Sequence, residues 1–232
     1  MTTLLVDDLS LEVRWSSRRK TLGLSVERDA TLVIRAPRGT RLPVLERFVR
    51  QKRGWLLRKQ AERKLLMAQV VNRQYVSGEV FAYLGRDYRL LLVEEQEVAL
   101  KLEGELFLLR RSEAARAREL FVSWYVEQAT PWITGRTAAL AAGMGVRPSK
   151  VIVRDLGHRW GSCTSASGRI RIHWAMILMP PDIVEYVLVH ELAHLLQANH
   201  SAAFWQVVER ALPDYRRRKQ WLTEHGAERS VL

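Results

Sequence analysis

His190-Glu191-Leu192-Ala193-His194 sets two imidazoles four residues apart, with a carboxylate next to the first. On a helix, positions i and i+4 share a face, so both rings can reach one cation. Glu191 is turned aside from them, where it can take a proton from water instead of coordinating. A catalytic zinc takes three protein ligands and keeps one position open. His200, ten residues after His190, has the short spacing of segments in which the chain turns sharply after the second histidine and returns a third. Gln197 stands where such segments carry glycine, so the turn must differ, and Asn199 is the residue best suited to a left-handed conformation there. Glu209 and Asp214, on the next helical stretch, compete with His200 as third ligand.

In a chain of 232 residues such a pentapeptide arises by chance on the order of one time in a hundred, so its weight comes from its surroundings. Ile183, Val184, Val187, Leu188, Leu192 and Leu195 give the segment the apolar surface of a buried helix. Two histidines and a glutamate inside such a helix are costly unless satisfied, and a metal is one way to satisfy all three. The plainer alternative is a pair of core histidines bonded to backbone or carboxylate. Cys163 is the single cysteine; near histidines it is a nucleophile, a fourth ligand or, as is commoner, a buried structural thiol.

The elements that must position these residues read as follows. Leu11 to Pro37 alternates as short strands, Leu42 to Met67 has helical spacing with its weakest point at Gly54, and Tyr75 to Leu109 is strand-rich again. Residues 1–110 are therefore expected to form a β-rich basic module with one helix, and 111–232 the catalytic domain of an α+β protein. Glu113 to Ala142 predicts a long helix kinked or split near Thr130 by Pro131 and ended by Gly143 and Gly145. Arg169 to Trp174 alternates as a strand, with Arg169, Arg171 and His173 on one face. Pro180-Pro181 opens the helix that carries the chemistry, and Ser201 is a suitable N-cap for the next. No internal repeat is visible.

With 47% hydrophobic and 27% charged residues the composition is that of a globular protein. No apolar run of about 18 residues is present and the first ten residues do not resemble an export signal, so a cytoplasmic protein without a membrane span is expected. A lone thiol fits a reducing compartment. The formal net charge of +12 raises nucleic acid as a partner, through the basic N-terminal module and Arg216-Arg217-Arg218-Lys219, against the plainer reading of a solvated face.

Arg159-Trp160-Gly161-Ser162-Cys163, the strand after it, Tyr186 to His194, Asn199-His200-Ser201 and Phe204-Trp205 together resemble the YgjP-like family of metal-dependent hydrolases. That family is similar in its metal segment to SprT-like and WLM zinc proteases. Further matches at Arg14, Arg18-Arg19-Lys20, Lys52, Trp55, Tyr83-Leu84-Gly85 and Pro213-Asp214-Tyr215 extend the likeness over nearly the whole chain. The resemblance implies Zn2+ held by His190, His194 and His200 with Glu191 catalytic, in a zincin core of the minigluzincin kind whose active-site helix lies under a small sheet. One strand of that sheet would receive an extended polypeptide substrate. SprT-like relatives act on proteins attached to DNA, which adds a docking role for the basic module. Two positions depart from the family: His158 where members carry serine, and His173 where they carry asparagine. Candidate substrate contacts are His158, Arg159, Trp160, Arg171 and His173, and solvent exposure is expected of both histidines.

Three classes of function follow: a zinc hydrolase acting as a metallopeptidase, a nucleic-acid-binding module with a structural metal, and an inactive interaction protein. Glu191 separates the first from the others, because a structural site fills its fourth position with protein and needs no free carboxylate.

Overall fold

The computed structural model describes residues 2–27, 30–68, 73–157 and 159–232, and of residues 62–68 the backbone only. The chain divides into two units, Met1–Val71 and Asn72–Leu232. This differs from a boundary near residue 110, and the core explains why. Phe81, Leu90, Phe107 and Leu109 of the second strand-rich stretch lie in the same apolar cluster as Phe121 and Tyr125, so these strands belong with the C-terminal elements.

In the first unit, strands β1 (Thr2–Val6), β2 (Leu9–Ser16), β3 (Gly23–Val26) and β4 (Leu32–Pro37) precede helices α1 (Leu42–Gln51) and α2 (Arg53–Ala68). Alternation turns Leu9, Leu11 and Val13 of β2 inward, and Leu45, Val49 and Leu56 of the helices complete that core. The helical stretch breaks at Lys52, not at Gly54. The Lys52 N–H reaches the carbonyls of both Phe48 and Val49, a tightened last turn that closes α1.

The second unit begins with β5 (Val80–Tyr83), β6 (Arg86–Val93), β7 (Leu100–Glu103) and β8 (Leu106–Arg110). Its sheet has the order β5-β6-β8-β7, and the first unit's sheet has the order β1-β2-β4-β3. In each, a parallel central pair is flanked by antiparallel hairpins. The topology therefore recurs although no repeat is visible in the residues, since many apolar sets satisfy the same alternation of inward and outward side chains.

Helix α3 (Ala117–Gly143) runs unbroken through Pro131. Its buried stripe recurs every fourth residue, at Ala117, Phe121, Tyr125, Ala129, Ile133, Thr137 and Ala141. Pro131 and Glu127, whose carbonyl loses its N–H partner, both lie on the exposed side, where water can replace the missing bond. Packing of the stripe thus overrides the break expected near Thr130.

A three-stranded sheet follows, with β9 (Lys150–Arg154), β10 (Gly161–Thr164) and β11 (Arg169–His173) in the order β10-β11-β9. Helices α4 (Pro181–Ala193), α5 (Ala202–Ala211) and α6 (Tyr215–Arg229) complete the unit. Ile183, Val184, Tyr186, Val187, Leu188, Val189 and Leu192 bury α4 on almost every side, between α3, α5, α6 and the β10–β11 hairpin. Each such side chain contributes roughly 1.5–3 kcal/mol by leaving water, so packing holds α4 on nearly all of its faces.

The start of α4 is fixed by the β5–β6 turn. Leu84 N–H donates to the Ile177 carbonyl at 2.7 Å. Gly85 has φ +77°, and a Cβ there would stand 2.8 Å from Cα of Pro180. Only glycine suits both the conformation and the contact. No helix among the described residues is long and apolar enough to cross a membrane.

Candidate metal centre

His190 lies in the last turn of α4 and His194 is its C-cap, so one helical turn separates the rings, with centroids 5.1 Å apart. The chain then folds back. The N–H groups of Leu195, Leu196 and Gln197 bond to the carbonyls of Leu192 and Ala193, which satisfies the end of α4 without a left-handed residue. Asn199 accordingly does not take the positive φ expected of it. Ser201 caps α5, its Oγ accepting from Phe204 N–H at 3.3 Å.

This return brings the His200 ring to 4.9 Å from that of His190 and 4.7 Å from that of His194. One ligand atom from each of the three lies within 4.8 Å of the others. Nε2 of His190 and Nε2 of His200 are 3.0 Å apart, close to the roughly 3.3 Å between two nitrogens that each sit 2.0–2.1 Å from a tetrahedral zinc. Phe204 and Trp205 flank the cluster, their rings 5.0 and 5.9 Å from that of His190.

The donor set has the chemistry a cation requires. Burial, reinforced by His194, His200 and Lys219, pushes His190 down to about 3, and burial with His194 and Lys219 lowers His200. Neutral imidazoles keep the lone pair that ligation uses. His194 Nδ1–H donates to the Gln197 carbonyl at 3.2 Å, which fixes the tautomer and leaves Nε2 free to coordinate. The three residues fit a metal ion. The competing ligands are committed elsewhere: Asp214 accepts from Arg218 Nε at 2.8 Å and Arg217 Nη2 at 2.7 Å, and Glu209 stands 3.4 Å from Arg216.

Glu191 is 5% exposed, and burial pushes its carboxyl up to about 8, against the pull of the Arg159 guanidinium and the backbone N–H of Cys163. A carboxylate poised near neutrality suits proton transfer. Gly161 makes room for it: a Cβ there would lie 2.6 Å from Glu191 Oε1 and 2.8 Å from its Cγ. The Gly in Arg159-Trp160-Gly161-Ser162-Cys163 is thus a steric requirement of the residue beneath it.

The proposed substrate contacts are distributed unevenly. Arg159 is exposed, and its charge reaches Glu191. Trp160 packs as a wall, its Cζ2 3.0 Å from where a Cβ on Gly226 would be. Arg171 Nη1 donates to Thr164 Oγ1 at 3.1 Å across the β10–β11 hairpin. His158 lies outside the described residues. His173 is not solvent-exposed but 1% accessible: its Nδ1 accepts from Ala175 N–H at 3.0 Å, its Nε2 is 3.3 Å from Asp155 Oδ1, and its own N–H donates to the Trp160 carbonyl at 2.8 Å. The Nδ1 bond and the carboxylate facing Nε2 offset part of the cost of burying this ring. Cys163 is half-buried, and burial and Glu191 raise its pKa. It stays a thiol, which suits packing and not nucleophilic attack.

Sequence reasoning missed three supporting groups. Ser165 Oγ–H donates to the His194 carbonyl at 2.8 Å, tying the turn after β10 to the end of α4. Asp155 meets His173, as above. Tyr186 lies 6.1 Å from His190, ring to ring; its i−4 spacing was the signal available.

Three histidines that could hold one metal ion, with a buried carboxylate next to the first of them in sequence, are the groups that a metal-dependent peptidase uses. The chain belongs to the YgjP-like family: the model of that family's metallopeptidase domain matches residues 20–225. Among solved structures, the metallopeptidase zymogen of Pyrococcus abyssi abylysin is 24% identical over 40% of this chain and 93% of its own, with a TM-score of 0.37. No curated protein matches.

Proposed function

We propose that the protein is a zinc metallopeptidase with a minigluzincin-like core, in which His190, His194 and His200 hold the ion and Glu191 is the general base. The observation that carries this is the buried Glu191 carboxylate beside three convergent imidazoles, left outside the ligand set. When bound, zinc supplies Lewis acidity to a water and to the carbonyl under attack. Three imidazoles leave one coordination position open for that purpose. Glu191 accepts the water's proton on a carboxylate oxygen and hands it to the leaving nitrogen. The Cys163 N–H orients that carboxylate. Among the described residues β10 pairs with β11 on one side only, and its free edge can accept an extended peptide. Arg159 and Arg171 flank this path. The decisive experiment is Glu191→Gln: zinc content should remain at one per chain while hydrolysis of an unfolded protein is abolished, and a fully active variant refutes the assignment.

Docking on nucleic acid is supported by a separate observation. Residues 1–71 carry sixteen Lys and Arg against seven Asp and Glu, and Arg18, Lys20, Arg38 and Arg41 are exposed around the ends of β2 and β4. Gel-shift binding that weakens between low and high salt supports this reading; no binding at low salt removes it.

A further inference from the structure

Beside Trp205, whose ring neighbours that of His200, the surface holds an open depression of about 460 Å³ lined otherwise by residues of α6. Its wall is Trp205, whose ring stacks on Tyr215 at 5.4 Å and 18° and lies 6.0 Å from the His200 ring at 29°. Lys219 and Arg216 supply two cations to the lining. Arg216 is already engaged: its Nε donates to Tyr215 Oη at 3.2 Å, and Glu209 stands 3.4 Å away. The lining carboxylate, Glu224, accepts from Gln220 Nε2 at 2.9 Å. Lys219 is in a different position. Its Nζ rests 4.4 Å above the Trp205 ring and makes no ion pair with any carboxylate among the described residues.

A lone ammonium held over an aromatic face is preorganised for an anion, because the ring fixes the charge without neutralising it. By the two ring distances, Nζ lies within roughly 10 Å of the His200 ring. Two residues of extended chain span about 7 Å, and an acidic side chain covers the remainder. We propose that this cavity is a substrate subsite which selects a carboxylate within two residues of the cleaved bond, with Lys219 as the specificity-determining cation and Trp205 as its platform. The carboxylate is that of an Asp or Glu side chain, or of the substrate's own C-terminus. The inference rests on the peptidase reading above and names the substrate class for it.

The test uses the full-length, zinc-loaded protein. Cleavage sites in unfolded casein are mapped by mass spectrometry, and short peptides built on them are compared as Glu against Gln, and as free acid against amide. A charge-assisted contact of this kind predicts a preference of about ten-fold or more in kcat/KM for the carboxylate. Which pair shows it identifies the source. Lys219→Met keeps the aliphatic stem on Trp205 and should reduce the ratio below about two-fold, whereas Lys219→Arg should retain most of it. Unchanged discrimination in Lys219→Met, or none in the native protein, overturns the subsite. Calorimetric binding, to the zinc-loaded Glu191→Gln variant, of one unstructured peptide carrying either a single Glu or a single Gln needs no mapped cleavage site and separates the two readings. If nothing is hydrolysed but the Glu peptide binds preferentially and Lys219→Met abolishes that preference, the peptidase reading fails and the anion site stands. Equal or absent binding of the two peptides removes the site.

Discussion

Gly161 and Glu191 are in a contact that leaves no space for a methyl group, since a Cβ on Gly161 would stand 2.6 Å from Oε1 of Glu191. Gly161→Ala should therefore push the carboxylate out of place without touching a metal ligand. An ångström-scale displacement of a catalytic group costs on the order of a hundred-fold in rate. The expected outcome is that loss in kcat/KM with zinc stoichiometry unchanged, read by peptide assay and metal analysis side by side.

The three histidines predict a sharp contrast with the acidic residues of α5 and α6. His200→Ala should weaken zinc binding by more than about a hundred-fold, while Glu209→Ala and Asp214→Ala, which lose only arginine partners, should leave it within about two-fold. Competition with a chromophoric chelator measures all three. Loss of zinc in Asp214→Ala alone would transfer the third ligand to that residue.

Glu191 gives the metal-free protein a definite dependence on pH. Its folded pKa, about 8, lies above the ordinary 4.5. Its share of stability is present in full below about pH 4.5 and is lost as pH rises through 8. Glu191→Gln removes the charge, so with excess chelator the variant should match the native protein near pH 5 and melt about 5 to 10 °C higher above pH 8. Thermal melts at the two pH values decide it; an equal gain at both would mean that ionisation of Glu191 is not the cause.

His173 predicts a tolerant and an intolerant substitution. Its Nδ1 accepts the Ala175 N–H as an N-cap for the short turn that follows β11. Asparagine, which the resemblance makes usual at this position, offers an oxygen for the same bond and is a favoured cap. His173→Asn should hold the melting temperature within a degree or two, and His173→Leu should lose about 1 kcal/mol or more. Calorimetric melts compare them.

The chemistry of the centre was more legible than its scaffold. Imidazoles at i and i+4 must share a helix face, so His190 and His194 could be paired from spacing, and Ser201 could be read as a cap because its hydroxyl answers a local need. His173 could not be read in this way. Strand parity put it opposite Ile170 and Ile172, on the face with Arg169 and Arg171, whereas its burial depends on Asp155 and Trp160, which arrive from elsewhere in the chain. Pro131 misled for a related reason: its local cost is fixed by its chemistry, but whether a helix survives it depends on a stripe of packing partners far away in sequence. Strand order was equally hidden, since alternation says which face a residue takes and nothing about which strand lies beside it.

Ser165 connects these themes. Its hydroxyl grips the carbonyl of His194, so the turn that ends the outermost strand of the small sheet is fastened to a proposed zinc ligand by one hydrogen bond. A polypeptide laid along that strand, as proposed above, would then pull through a single seryl oxygen on the backbone of that ligand, making occupancy of the strand edge something a bound ion can sense.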